Sequence, residues 1–487
     1  MSGTVGCDVA VVGYGAAGCA AAIAAHDTGA DVVVLEKTSP DRAGGNTRVS
    51  GGIWFQSRDA ASAARYLRSL SGGFPLPEPV VAAWAEATHH NSDWLRGLGV
   101  DVAPHPDHFA SAEYPELDGS DTYVAGMGVG GVMGDQALWD ALVRLVGDRG
   151  IPVVHEARAE RLVHDGRRVV GVVGTVAGAP MKVTARRGVV LATGGFEASE
   201  AMVREFLPLA ESAVSGSRSG TGDGIRMAQR LGADLWHMTN RSGSIGIAVA
   251  GFEAGFPVTF PYSWSWIWVG PDGRRFTDES LYSRHGHVHI HGTYEYRTST
   301  HPTYVVFDEA TRLAGPVGPT REKVAVGWNV LMARYVWSAD NSSEIEQGWI
   351  VRGDDPADLA GRLGLADPDA LGATIDGYNA ACGAGTDPFG RDPATRVPLG
   401  TGPIYGFRSV PVIGWTNGGL RHDERGRVLD VDGGAIDGLY AAGSVSSTYG
   451  WCKDAGFHIA DALAFGRVAG RESARAAPGE VPPPTAG

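Results

Sequence analysis

The chain has 487 residues, 43% of them apolar, which is enough for two or three domains with sizeable cores. A net charge of −14 argues against a nucleic-acid groove or an anionic membrane surface, because both reward clustered Lys and Arg. Four cysteines, Cys7, Cys19, Cys382 and Cys452, show no CxxC or CxxCH spacing, so a zinc site, a disulfide framework, an iron–sulfur cluster and a c-type haem are all unsupported.

The first element is the most informative. Asp8-Val-Ala-Val-Val-Gly13-Tyr-Gly15-Ala16-Ala17-Gly18 runs into an alanine-rich stretch and then Asp31-Val-Val-Val-Leu-Glu36-Lys37. This reads as a strand, a glycine turn, a helix and a second strand ending in a carboxylate. Gly13 permits the tight turn, Gly15 lets backbone amides approach a pyrophosphate, and Gly18 lets helix and strand pack closely. The helix amino terminus offers partial positive charge to the phosphates, and Glu36 offers acceptors to the ribose hydroxyls. NAD or FAD would suit such a unit. The apolar run over residues 9–25 is broken by these glycines and is not a membrane span. No basic-then-apolar leader precedes the strand, so the expected location is cytoplasmic.

Behind the second strand, Gly44-Gly45-Asn46-Thr47-Arg-Val-Ser50-Gly51-Gly52 concentrates glycines and small polar side chains. Such a loop can run along a second phosphate and a flat ring system; its bland alternative is a surface turn. Residues 59–150 read mostly as helices, with an irregular loop near 101–130. Short strands are expected at 153–154, 161–163, 169–173 and 181–184, closing with Gly188-Val-Val-Leu, and a helix over 223–231. Residues 1–240 form the first part of a nucleotide domain, 241–404 an inserted substrate domain, and 405–475 the returning part. Residues 476–487, rich in Ala and Pro, are expected to be disordered.

Within the insert, Trp264, Trp266 and Trp268 alternate and so share one strand face. They suit either a sheet core or an aromatic wall for a flat substrate. His285, His287, His289 and His291 also share one face, about 7 Å apart in succession, too spread along a strand to surround one ion. No metal site is expected; a polar channel or an interface suits them better.

Several segments together resemble the fumarate reductase and 3-ketosteroid dehydrogenase superfamily of flavoproteins: the glycine fingerprint, the Gly-Gly-Asn-Thr loop, Gly188-Val-Val-Leu-Ala192-Thr193-Gly194-Gly195-Phe196, Gly220-Thr-Gly-Asp223-Gly224, Gly418-Gly419-Leu, and Gly438-Leu-Tyr440-Ala-Ala-Gly443. The resemblance implies an α/β fold, a Rossmann-type, glutathione reductase-like FAD domain carrying an inserted α+β substrate domain, with substrate between the two. It implies FAD contacts at Gly13, Gly15, Ala16, Ala17, Gly18, Glu36, Lys37, Gly44, Gly45, Asn46, Thr47, Ser50, Gly51, Gly52, Ala192, Thr193, Gly194, Asp223, Gly443 and Ile459. The succinate dehydrogenases attach their flavin to a histidine where this chain has Gly45-Asn46-Thr47, so FAD is expected to be noncovalent.

The same resemblance assigns chemistry. Arg284 falls near the family's proton-donating arginine, and Tyr282 near the tyrosine that abstracts the proton in the ketosteroid enzymes. A tyrosine of ordinary pKa about 10 is a weak base, so Arg284 would have to stabilise its phenolate. Gly456 matches a glycine whose amide meets a substrate carbonyl, at the start of a helix whose positive end favours developing negative charge. The partnering tyrosine is displaced: Cys452 stands in its place and Tyr449 lies three residues earlier. Lys453 replaces a carboxylate-binding arginine, and Trp415 replaces a dicarboxylate-binding histidine.

These departures point to a cyclic ketone of steroid-like type, or its enone, as the small-molecule partner, lined by Trp264, Trp266, Trp268, Trp415 and Lys453. Gly456 and Tyr449 would hold the carbonyl while Tyr282 and Arg284 move a proton and the flavin exchanges hydride. The electron acceptor or donor is unidentified. Three other readings stand beside this one: a fumarate reductase-like enzyme acting on an unsaturated acid, an NAD-linked dehydrogenase, and a noncatalytic flavin-binding protein.

Overall fold

The computed structural model describes residues 4–72, 74, 76–105, 111–131, 136–259, 263–280, 302–320, 331–450 and 452–479, with backbone only for 287–290 and 293–296. The chain divides into two compact units. The first comprises 1–207, 217–241 and 415–487; the second comprises 208–216 and 242–414.

The first unit is built on a parallel sheet. Strand β1 (Thr4–Val12) leads through helix α1 (Ala16–Asp27) to β2 (Val32–Leu35). β1 pairs in parallel with β2, Val9 opposite Val32, and on its other side with β9 (Ala179–Leu191), Val9 opposite Gly188. β2 pairs with β6 (Val153–Val154), and β9 with β10 (Ala435–Ala441), giving the order β10-β9-β1-β2-β6. A parallel sheet covered on both faces reads as continuous apolar runs, and all four residues of β2 are buried. β7 (Ala157–His164) and β8 (Val169–Val176) extend β9 as an antiparallel meander.

The region 59–150 holds the expected helices, among them α3 (Ala60–Leu70), α4 (Glu78–His89) and α5 (Ala137–Asp148). It also holds a small antiparallel sheet that the sequence pattern did not indicate: β5 (Tyr123–Val129) lies between β3 (Trp54–Ser57) and β4 (Val102–Pro104). The strand is hard to read from its residues because Gly126 and Gly128 interrupt the alternation of apolar and polar side chains. The helix expected over 223–231 runs Asp223–Gln229 and is labelled α6.

Helix α1 is apolar all round, with every residue from Ala16 to Ala25 buried. Its covering partner is the final helix, α7 (Phe457–Arg475). The two approach to backbone distance: a Cβ on Gly466 would lie 2.6 Å from the Ala17 carbonyl oxygen, and one on Gly470 2.3 Å from that of Ala21. Beyond α7 the expected disorder gives way to order over 476–479, where Arg168 Nη1 donates to the Ala477 carbonyl and the Gly479 amide to that of Arg186. Residues 480–487 lie outside the described residues.

The second unit centres on the 13-residue strand Ile404–Thr416, flanked by Arg241–Ile247 and Thr303–Asp308. Residues 405–414 therefore belong to this unit instead of returning at 405; within the strand, Ile404–Ser409 pairs with Thr303–Asp308 in unbroken register. Residues 208–216 join it too, since Ala213–Val214 pairs in parallel with Val412–Ile413. At the far edge, Trp266–Val269 alternates as expected, but both of its faces are buried. Trp266 and Trp268 enter one core with Phe256, Phe307 and Phe407; Ile267 and Val269 enter another with Leu359, Leu371 and Tyr378. His287 and His289 stand on one strand of a hairpin with Thr293–Tyr296; His285 and His291 lie outside the described residues.

Candidate active site

A cavity, partly open to solvent, lies in the first unit along the carboxyl ends of the parallel strands. Of the expected cofactor residues, Gly13, Gly15, Ala16, Ala17, Glu36, Lys37, Gly44, Gly45, Asn46, Thr47, Ala192, Thr193, Gly194, Asp223 and Gly443 line it. Gly13 has φ +106°, and a Cβ there would lie 2.3 Å from the Ala192 carbonyl oxygen. A Cβ on Gly18 would lie 2.0 Å from the Gly13 carbonyl, so that glycine serves packing beneath the cavity. Ser50, Gly51, Gly52 and Ile459 are not among the lining residues. Ser50 Oγ instead donates to the Thr47 carbonyl at 2.9 Å and accepts the Gly52 amide, which closes the turn after the helix Gly45–Val49, while Ile459 is buried in α7.

Side chains fix the rim. Glu36 accepts from Tyr14 N at 3.2 Å and from both Thr38 N and Thr38 Oγ1 at 2.8 Å, which holds its carboxylate at the end of β2. Thr47 Oγ1 accepts from Ala16 N at 2.8 Å, tying the Gly-Gly-Asn-Thr loop to the first turn of α1. Lys37 closes on Asp223 at 2.8 Å. Burial alone would raise the Asp223 carboxyl, but the Lys37 ammonium outweighs it and leaves that group below its ordinary value.

The fit to a dinucleotide is direct. Thr193 Oγ1 is buried at the cavity wall with no protein partner among the described residues, a polar atom that asks for a ligand. Gly15, the N-cap, offers no side chain of its own to the helix amino terminus, where Thr47 takes the Ala16 amide, and such a helix end suits an anion.

Around the amino terminus of α7 a second constellation forms. Gly456 is the N-cap with φ +78°, and a Cβ there would lie 2.5 Å from Phe55 N, so only glycine lets α7 start against β3. Tyr449 is buried at 1% exposure, and its hydroxyl bonds His458 Nδ1. The His458 ring meets Trp415 edge-on at 4.4 Å, and the Lys453 ammonium sits 5.0 Å over the Trp415 ring. Burial lowers Lys453 to about 8, although Glu113 and Asp454 pull the other way.

Sequence reasoning missed the partners of this group. Asp454 accepts from Tyr66 Oη at 2.5 Å, Glu113 N at 3.0 Å and Ala455 N at 2.6 Å, and burial with the Glu113 charge raises it to about 7. Tyr114 is fully buried, its hydroxyl pushed well above the ordinary range by burial and by the neighbouring Cys452 and Glu113. Glu197, Ser217 and Gly220 line the dinucleotide cavity without having been picked out as contacts. Gly220 at least stood inside a segment that pointed to the cofactor.

Tyr282 and Arg284 lie outside the described residues. The turn before them is firmly held within the second unit. Glu279 is fully buried, paired with Arg275 at 2.6 Å and Arg391 at 3.4 Å, and it accepts the Trp268 amide at 3.1 Å. Arg391 also donates to the carbonyls of Trp264 and Trp266. Trp266 and Trp268, 0% and 3% exposed, are thus core side chains and not a substrate wall; covering the sheet on both faces leaves them no open side. Trp264, just before the strand, is half-buried and packs on the same core. Among the described residues no group of three His, Cys, Asp or Glu is placed to hold a metal, and no helix is long and apolar enough to cross a membrane.

A family model described as FAD binding domain matches residues 8–459. The chain belongs to that family. It is an FAD-dependent oxidoreductase whose relatives include fumarate reductases and ketosteroid dehydrogenases. It is 30% identical to the NADH:fumarate oxidoreductase of Klebsiella pneumoniae over 97% of its own length but spans about half, 48%, of that protein. It is 28% identical to the 3-oxosteroid 1-dehydrogenase of Mycobacterium tuberculosis, covering 95% of this chain and 97% of the relative. The 3-ketosteroid delta1-dehydrogenase of Sterolibacterium denitrificans, solved with 1,4-androstadiene-3,17-dione, shares the fold with a TM-score of 0.76 at 24% identity, over 96% of this chain and 99% of that one.

Proposed function

We propose that this flavoprotein exchanges a hydride and a proton across a C–C bond beside a carbonyl, desaturating a cyclic ketone of steroid-like type or reducing the matching enone. The observation that carries this reading is the start of α7, where Gly456 places a 19-residue helix's amino terminus beside a set of buried ionisable side chains. A carbonyl oxygen that gains negative charge is stabilised by amides and a helix dipole pointed at it. FAD, held noncovalently by the glycine cradle, supplies the hydride acceptor or donor. Residues of this chain do the rest: the Gly456 amide holds the carbonyl, Tyr449 and His458 shape its surroundings, and Tyr282 with Arg284 moves the proton at the neighbouring carbon.

Reduction of an unsaturated carboxylic acid is the second reading, and Lys453 is the observation that favours it, since a buried ammonium suits one acidic group on the substrate. Flavin reduced anaerobically by light, then mixed with cyclic enones and with unsaturated acids, separates the two by which class restores the oxidised absorbance. Reoxidation by neither class leaves a flavin-binding protein, whereas unchanged turnover in both Tyr282→Phe and Arg284→Ala overturns the proton path alone.

A further inference from the structure

Glu197 follows the strand-end segment 192–196 and is 2% exposed, yet it lines the same cavity as the glycine fingerprint. Asn46 Nδ2 donates to Oε1 at 2.8 Å, and Thr416 Oγ1 donates to Oε2 at 3.3 Å. The other end of the Asn46 amide accepts the Ser217 backbone N–H at 2.7 Å. Two glycines make room for the carboxyl: a Cβ on Gly220 would lie 2.3 Å from Oε1, and one on Gly195 2.7 Å from Oε2. Four chain segments therefore converge on one acid at the wall of the cofactor cavity.

Among the described residues, the groups that bond or crowd that acid are neutral: Asn46 from the Gly45–Val49 helix, Gly195 just before the acid, Gly220 from the loop before α6, and Thr416 from the strand end. The other ionisable residues lining the cavity are Tyr14, Glu36, Lys37 and Asp223, and Lys37, the cation among these described residues, is bound to Asp223 at 2.8 Å. Burial pushes the Glu197 carboxyl up to about 7, with the Asn46 and Thr416 bonds drawing it partly back. FAD brings two negatively charged phosphates into this cavity, and added negative charge disfavours a second anion nearby.

We propose that Glu197 is a cofactor-site residue that receives the dinucleotide as its neutral acid, so that FAD binding takes up one proton from solvent. No bond in FAD changes; the proton goes to the Glu197 carboxylate, whose two oxygens meet Asn46 and Thr416. By linkage, affinity falls as pH rises above the value at which the free protein loses that proton.

The test uses apoprotein and FAD, with calorimetry in two buffers of different ionisation enthalpy and flavin fluorescence titration from pH 6 to 9. The expected result is uptake of half to one proton at pH 8 and close to none at pH 6. The dissociation constant should rise towards tenfold per pH unit above pH 7, and Glu197→Gln should flatten that rise. Zero uptake by the unaltered protein at pH 8 overturns the proposal, as does a Glu197→Gln protein with the original slope. Should Glu197→Gln fail to fold, the proton count of the unaltered protein decides alone.

Discussion

The two halves of the candidate site are built by opposite means. Along β1, α1 and the Gly44–Thr47 loop, recognition is done by backbone: glycines clear the approach, and amides and a helix end meet phosphate. Around the start of α7 the construction is of buried side chains, Tyr66 and Tyr114 being brought in from other stretches of chain to Lys453, Asp454 and His458. The first kind tolerates almost no change of shape. The second carries in addition the cost of charge held out of water, and that cost depends on pH.

The sharpest way to break this contrast is Gly18→Ala. A methyl group 2.0 Å from the Gly13 carbonyl oxygen forces backbone apart under the phosphate turn, and overpacking of this kind costs about 1–3 kcal/mol, more where backbone is the obstacle. The expected outcome is protein purified with little or no flavin, read from its absorbance at the flavin maximum; full occupancy would show that the turn can yield.

Lys453→Met probes the other half. The folded protein holds this lysine at about 8 against an ordinary 10.5, so the unfolded chain binds more protons between those values and stability rises as pH climbs through that window. Below about pH 8 the buried charge costs roughly 3 kcal/mol, taking 1.36 kcal/mol per pH unit as an order of magnitude. Lys453→Met should therefore raise the melting temperature most near pH 7 and lose that advantage towards pH 10. A constant difference across pH would contradict the burial of a charge there.

Thr38→Val gives the smallest effect. It removes one hydroxyl bond to Glu36 but leaves the Thr38 amide and Tyr14 N in place, so the loss should be about 1 kcal/mol in FAD affinity. A loss of hundredfold or more would mean that Glu36 is set by that hydroxyl alone.

How much of this was legible in the sequence follows the same division. The cradle was readable because phosphate recognition by backbone requires Gly13, Gly15 and Gly18 at fixed spacing between two apolar strands. Asp454 and Tyr66 were not readable as partners, since they are 388 positions apart and nothing local announces a hydrogen bond that only the fold creates. The three tryptophans mislead for a related reason. Alternation reports which residues share a strand face, but whether that face meets solvent, substrate or core depends on what covers the sheet. The unit to which residues 405–414 belong is not legible either, because a strand's allegiance is fixed by its distant pairing partners, here 303–308 for 404–409 and 213–214 for 412–413.

The packing of α1 against α7 sets an order of events during synthesis. Proteins leave the ribosome from the amino terminus, so the phosphate-facing helix emerges about 440 residues before the helix that covers it. Until α7 arrives, an all-apolar, alanine-rich segment lacks its main packing partner, while the whole of the second unit has already been made. Nascent chains stalled before residue 457 should accordingly capture chaperones and lack flavin, and release of the last helix should be the step that makes the protein yellow.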